Sequence, residues 1–145
     1  MPKKTLKLST RVKDLMEVPP VVISKNSTVD EAASMMWEKN IGSLIVVGDS
    51  GAMVGIVTER DMLFAVTKGL TGKTVPVSSI TSKTDLKATP TQSIATAVEI
   101  MRKGGVRHLP VVDKNEKPLG MISMRDALDI VGPLLKQVLR SISKA

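Results

Sequence analysis

The 145-residue chain contains no cysteine, which excludes disulfides, thiolate catalysis and cysteine-ligated metals. Its one histidine, His108, argues against a histidine-built metal site. Trp37 and Phe64 are the only aromatic residues. The core must therefore be aliphatic, with nine methionines as adaptable filling. No apolar run reaches the ~18 residues that a membrane-spanning helix needs. The N-terminus is charged and lacks the apolar stretch of a signal peptide, so a cytoplasmic location and no membrane partner are expected.

Apolar residues make up 42% of the chain, enough for one compact domain or for two small halves sharing a core. A net charge of +7 favours anionic partners, whether nucleic acid, membrane or small molecule. The lysines are dispersed. Only Lys3, Lys4, Lys7, Arg11 and Lys13 at one end, and Lys136, Arg140 and Lys144 at the other, lean towards clusters. No aromatic residues interleave with them as base stacking would require, so a solvated face is the preferred reading.

Two stretches organise the chain. Gly55-Ile56-Val57-Thr58-Glu59-Arg60-Asp61 returns, 65 residues on, as Gly120-Met121-Ile122-Ser123-Met124-Arg125-Asp126. In each, an apolar strand meets a helix that starts at a hydroxyl residue, with a carboxylate three positions later. That spacing is a variant of the helix capping box. The same helix start offers free N–H groups and partial positive charge to a phosphate, and an ionised carboxylate suits a ribose diol. Cap and ligand contact are compatible.

The 65-residue shift also carries Val12, Ala32, Met36, Leu44, Val46, Val47, Leu63 and Val66 onto identical residues. Thr28 becomes Ser93 and Ile41 becomes Val106, both conservative changes. The chain is an internal duplication of a β-α-β-β-α unit. Val21–Ile23 reads as a first strand. Thr28 with Glu31 caps a helix. Ser43–Val47 and Met53–Val57 form a hairpin across Gly48–Gly51, and a helix follows from Thr58. In the second unit the first strand is expected at Leu86–Ala88 and a helix from Ser93 to Gly104-Gly105. A hairpin follows over Val106–Val112 and Lys117–Ile122. Gly132-Pro133 is expected to break the Ser123 helix, leaving an amphipathic segment that carries Leu134, Leu135, Val138, Leu139 and Ile142. Gly72-Lys73-Thr74 looks like the end of a phosphate-binding loop. Thr67 stands where that loop needs glycine and no strand precedes it, so the reading is rejected.

The duplicated unit resembles the CBS (cystathionine-β-synthase) domain, whose nucleotide motif is a Gly, two apolar residues and T/S-x-x-D after a β-hairpin. The resemblance implies an α+β fold, a Bateman module of two CBS motifs about a pseudo-two-fold axis, with sheets packed face to face. It divides the chain into a first motif over 10–68, a linker over 69–76, a second motif over 77–132 and a C-terminal segment over 133–145. It implies a regulatory module, not an enzyme, with no resident cofactor. AMP, ADP, ATP or S-adenosylmethionine would bind as ligand in two related clefts.

One cleft would use Ser123 and Asp126, faced by Pro20, Ile41 and Gly42. The other would use Thr58 and Asp61, faced by Asp85 and Val106. Arg107 and His108 match positions where the family often sets basic residues against phosphate, and Arg60 and Arg125 could join them. Arg107 and His108 correspond to Gly42 and Ser43 of the first unit, so the basic pair exists once. Asp85 would repel phosphate. On this basis the Ser123/Asp126 cleft is expected to hold phosphorylated ligand more tightly. A homodimer is expected, using Met35, Met36, Trp37, Met62 and Phe64, along with an unidentified regulated protein. The alternatives are a nucleic-acid-binding protein using the basic termini, and a purely structural dimerisation module.

Overall fold

The computed structural model describes residues 10–83 and 85–143. The basic arm expected at residues 1–9, with Lys3, Lys4 and Lys7, lies outside them, as does Lys144. The elements are α1 (Val12–Leu15), β1 (Val22–Ser24), α2 (Val29–Lys39), β2 (Ser43–Val47), β3 (Met53–Thr58), α3 (Glu59–Thr67), a 3-10 turn (Val77–Ser79), α4 (Ile94–Gly104), β4 (His108–Val112), β5 (Pro118–Ser123) and α5 (Met124–Ser143).

Local chemistry explains most boundaries. Thr28 and Glu31 close a reciprocal capping box on α2, and Asn40 ends it in the left-handed conformation at φ 53°. Ser93 caps α4, and Gly105 ends it at φ 64°, the counterpart of Asn40. Both hairpins are antiparallel and share one irregularity. The register slips between Val46 and Val47 and again between Val111 and Val112.

β1, β2 and β3 form one sheet, with β1 parallel to β2. β4 and β5 form the other. The first strand expected at Leu86–Ala88 shrinks to a single bridge from Ala88 to Val111. The Thr89 N–H turns to the Gln92 side chain instead of a strand partner, and Pro90 has no N–H to extend the ladder. The break expected at Gly132-Pro133 is also absent, and α5 runs through Pro133 to Ser143. Proline removes one backbone donor there, and the strong helix formers Leu134, Leu135, Lys136 and Gln137 carry the helix onward.

Each unit lends its leading segment to the other. Val12 is fully buried among Ile94, Met101, Leu109 and Ile122 of the second unit. Val77 and Ile80 pack among Val29, Leu44 and Val57 of the first. The backbone repeats the exchange. The Val12 N–H donates to the Gln92 carbonyl at 2.8 Å, and the Val77 N–H to the Ser27 carbonyl at 2.6 Å. Glu17 bridges to Met121 on β5, while Ser82 bridges to Ile56 on β3. These pairs map onto each other under the same 65-residue shift, which is the pseudo-two-fold relation expressed in contacts. Ile45, Ile56 and Met121 fill the seam between the sheets, with Val47 and Met53 beside them.

The crossings explain both motif glycines. A Cβ on Gly55 would stand 2.5 Å from the Ser82 carbonyl oxygen, and one on Gly120 would stand 2.8 Å from that of Glu17. Only glycine lets the other unit's backbone lie this close.

Candidate functional site

Both hydroxyl-carboxylate pairs form capped helix starts. At α3 the Thr58 N–H donates to Asp61 Oδ2 at 2.8 Å, and the Asp61 N–H returns a bond to Thr58 Oγ1 at 3.3 Å. At α5 the Ser123 N–H donates to Asp126 Oδ2 at 2.9 Å, and the Asp126 N–H donates to Ser123 Oγ at 3.1 Å. An ionised carboxylate has about four acceptor sites, so Asp126 keeps capacity for a diol after accepting the Ser123 N–H. Asp61 accepts from the Thr58 N–H and also from the Thr58 and Ser82 hydroxyls, and has about one site left.

The α5 start opens into a cleft of roughly 220 Å³ between the two units. Pro20, Ile41, Gly42 and Ser43 line it from the first unit, and His108, Met121, Ser123 and Arg125 from the second. The structure thus brings together six of the residues expected at this cleft, Pro20, Ile41, Gly42, His108, Ser123 and Arg125, above the Asp126 cap. Arg107 is not among the lining residues. It takes the place of Gly42 under the repeat shift, and its carbonyl accepts the Met124 N–H at 2.8 Å just as the Gly42 carbonyl accepts the Glu59 N–H at 3.1 Å.

Two carboxylates that sequence reasoning missed also stand here. Glu17 lines the cleft, carried in by its segment's ladder to Met121. Glu59, the first residue of α3, leans over Gly42, its Oε1 lying 3.2 Å from where a Cβ on that glycine would be. A signal was available, because the shift pairs Glu17 with Ser82 and Glu59 with Met124.

Electrostatics follow from this crowding. Glu17 is held above the ordinary carboxylate value, by partial burial first and by the Asp126 charge next, with Arg125 opposing. His108 is pushed below the ordinary imidazole value by burial, with Arg107 adding to the shift and the Asp126 and Glu59 charges opposing it. At neutral pH His108 therefore brings a neutral ring to the cleft.

At the other helix start, Ser82 Oγ donates to Asp61 Oδ1 across a long 3.4 Å. Asp85 and Arg60 are exposed, and Val106 packs against the second unit's core. A broader concavity of about 820 Å³ lies along α2 and is lined by Asp30, Glu31, Glu38, Lys39 and Lys73. Thr58, Asp61, Asp85 and Val106 line neither cavity. Gly72, from the rejected phosphate-loop motif, gives its N–H to Asp30 at 2.9 Å. Among the described residues, no group of three or more His, Cys, Asp or Glu side chains is placed to hold a metal, and no helix is long and apolar enough to cross a membrane.

A duplicated β-α-β-β-α unit with exchanged leading segments and a capped helix start at an inter-unit cleft defines a class of paired-domain modules. The CBS domain model matches residues 12–68 and 77–132, and the chain belongs to that family. It is 35% identical over 116 residues to the CBS domain-containing protein YhcV of Bacillus subtilis, covering 79% of this chain and 81% of that one. Among solved structures it is similar to the CBS domain pair of MJ0100, in complex with 5'-methylthioadenosine and S-adenosyl-L-methionine. The TM-score is 0.79 at 26% identity, over 86% of this chain and 97% of that one. The CBS domain protein PAE2072 of Pyrobaculum aerophilum, complexed with AMP, matches with a TM-score of 0.75 at 26% identity, over 85% and 99% of the two chains.

Proposed function

We propose that this chain is a non-enzymatic sensor that binds an adenosine compound between its two CBS units and passes the resulting change in shape to a partner protein. The observation that carries this reading is the Ser123–Asp126 helix start opening into the inter-unit cleft, with Pro20, Ile41 and Gly42 opposite. Similar pairs that hold AMP, 5'-methylthioadenosine and S-adenosylmethionine support it. Asp126 would accept from the ribose hydroxyls, and the apolar edge at Ile41 would take the base. The adenosine compound acts as a regulatory ligand, with no resident cofactor.

Thermal unfolding with AMP, ADP, ATP and S-adenosylmethionine tests the reading. A ligand present at about 100 times its Kd adds roughly 2.7 kcal/mol, a shift of several degrees at this size. One of the four is expected to give that rise, and Asp126→Asn to remove it. No rise with any of them refutes the sensor.

The module would act as a homodimer. Trp37 is 87% exposed, with Leu63, Phe64 and Val66 also open on α3. The expected surface changes in one respect. Met36 is buried in the first core, and Met35 and Met62 are partly buried against it, so they supply little of the face. The same apolar surface favours the purely structural dimerisation module as second reading. Light scattering that shows a dimer, together with unfolding insensitive to all four ligands, would select it. A nucleic-acid role would instead show as binding that weakens steeply with salt.

A further inference from the structure

The two helix starts carry the same cap but unequal charge around it. At the Ser123/Asp126 cleft stand Glu17, Glu59 and Asp126 against one guanidinium, Arg125. The 65-residue shift turns these into Ser82, Met124, Asp61 and Arg60, while Pro20 becomes Asp85 and Gly42 becomes Arg107. The first set is three carboxylates to one cation, the second two to two.

The contrast is sharpest beside the aspartates. Asp61 receives a hydrogen bond from the Ser82 hydroxyl. Asp126 instead has the Glu17 carboxylate close enough for its charge to act on it, and an ionised carboxylate only accepts hydrogen bonds. Like charges in a partly desolvated cleft repel. The remaining positive charge is Arg125, which lines the cleft and opposes the shift at Glu17, while His108 is neutral through burial.

We propose that the Ser123/Asp126 cleft selects an adenosine bearing positive charge, or no charge, at its 5' end, that it disfavours 5'-phosphates, and that Glu17 is the specificity-determining residue. This reverses the phosphate preference expected from sequence, and it rests on the adenosine-sensor reading above. A cation at the 5' position relieves the Glu17–Asp126 repulsion, and a phosphate adds to it.

The test is calorimetric titration of the full chain carrying Asp61→Asn, which quiets the other helix start. The probes are S-adenosylmethionine, neutral 5'-methylthioadenosine and AMP. Affinity is expected to fall in that order, with about tenfold or more between the first and last. Adding Glu17→Ser, which installs the residue found at Ser82, is expected to shrink that ratio roughly tenfold. Serine there leaves the backbone ladder to Met121 intact. Should Asp61→Asn impair folding, the Ser123 and Arg125 amide shifts of the otherwise unaltered chain, with and without Glu17→Ser, report the same order. AMP binding as tightly as S-adenosylmethionine, or a ratio unmoved by Glu17→Ser, overturns the inference and leaves the sensor standing. No binding of any probe to the unaltered chain overturns the inference, and removes the sensor as well when ADP and ATP also fail to raise the unfolding temperature.

Discussion

Replacing Gly55 by alanine tests the crossing of the Ser82 segment over β3, which leads into the α3 helix start. The new Cβ would lie 2.5 Å from the Ser82 carbonyl oxygen and 2.6 Å from Thr81 Cγ2, where ordinary contact begins at 3.4 Å. One obstacle is backbone, so rotamer changes cannot clear it, and the Ser82 segment must back away by roughly 0.9 Å. That segment is held by two hydrogen bonds, Ile56 N–H to the Ser82 carbonyl at 3.2 Å and Ser82 N–H to the Ile56 carbonyl at 3.0 Å. Such a move takes both out of range. Each costs about 1 kcal/mol net, and more where the freed group stays buried. Ile80 and Val77, which anchor the segment in the first core, loosen with it.

The expected destabilisation is therefore about 2–4 kcal/mol, or roughly 6–12 °C in Tm for a chain of this size. Gly120→Ala meets the Glu17 carbonyl at 2.8 Å, but its other neighbour is the flexible Met16 side chain, so it should cost less. Gly132→Ala is the control. Beyond its chain neighbours and its own helix backbone, nothing lies within 4 Å of its new Cβ. The helix-propensity gain of alanine is offset by the following Pro133, so the change should stay within about 1 kcal/mol. Urea unfolding of the three variants measures the series. A Gly55→Ala variant within about 0.5 kcal/mol of the parent would refute the exchanged-segment packing, because a surface glycine behaves that way.

Thr58→Ala and Ser123→Ala should each lower stability by about 1 kcal/mol without ligand, since each removes a cap acceptor, and Ser123→Thr should restore most of it. Equal loss of stability from the two caps, with only Ser123→Ala weakening ligand binding in the Glu17 cleft, would separate cap from contact. Because the folded value of His108 lies below 6.5, the unfolded chain protonates first. Stability from this residue is full above about pH 6.5 and is lost as pH falls through the folded value. His108→Gln should flatten that acid-side decline in urea midpoint against pH, with Asp126, Glu59 and Arg107 left in place. Parallel profiles for parent and variant would contradict a buried neutral imidazole.

The duplication was legible because both copies keep the residues that shape the backbone. Thr58 and Ser123 cap, Gly55 and Gly120 admit a crossing chain, and Leu44 and Leu109 fill equivalent core positions. The exchange of leading segments was not legible. Val12 and Val77 are identical small aliphatics, and either would suit either core, so no local pattern says which half each enters. Glu17 went unnoticed for the same reason, since it sits far from any motif and reaches the cleft only by the exchange. Pro133 misled because proline propensity describes a helix in isolation, whereas here one missing donor is set against a long run of helix formers. The repeat placed a strand at Leu86–Ala88, but its Lys and Ala favour strands little and a proline lies two residues beyond it, and pairing stopped at one bridge.

The exchange also bears on how such a module could signal. Because Glu17 and Pro20 enter the second unit's cleft from the first, no ligand there touches one unit alone. Ile45, Ile56 and Met121 form the packing between the sheets that any relative movement of the sheets must disturb. A ligand that bridges Ile41 and Gly42 to Ser123 favours whichever arrangement of that seam brings the two sides closest. It shifts the population only by its difference in affinity between the two arrangements. Charge at Glu17 makes that difference depend on the ligand's own charge. A sensor built this way reads the kind of adenosine as well as its amount.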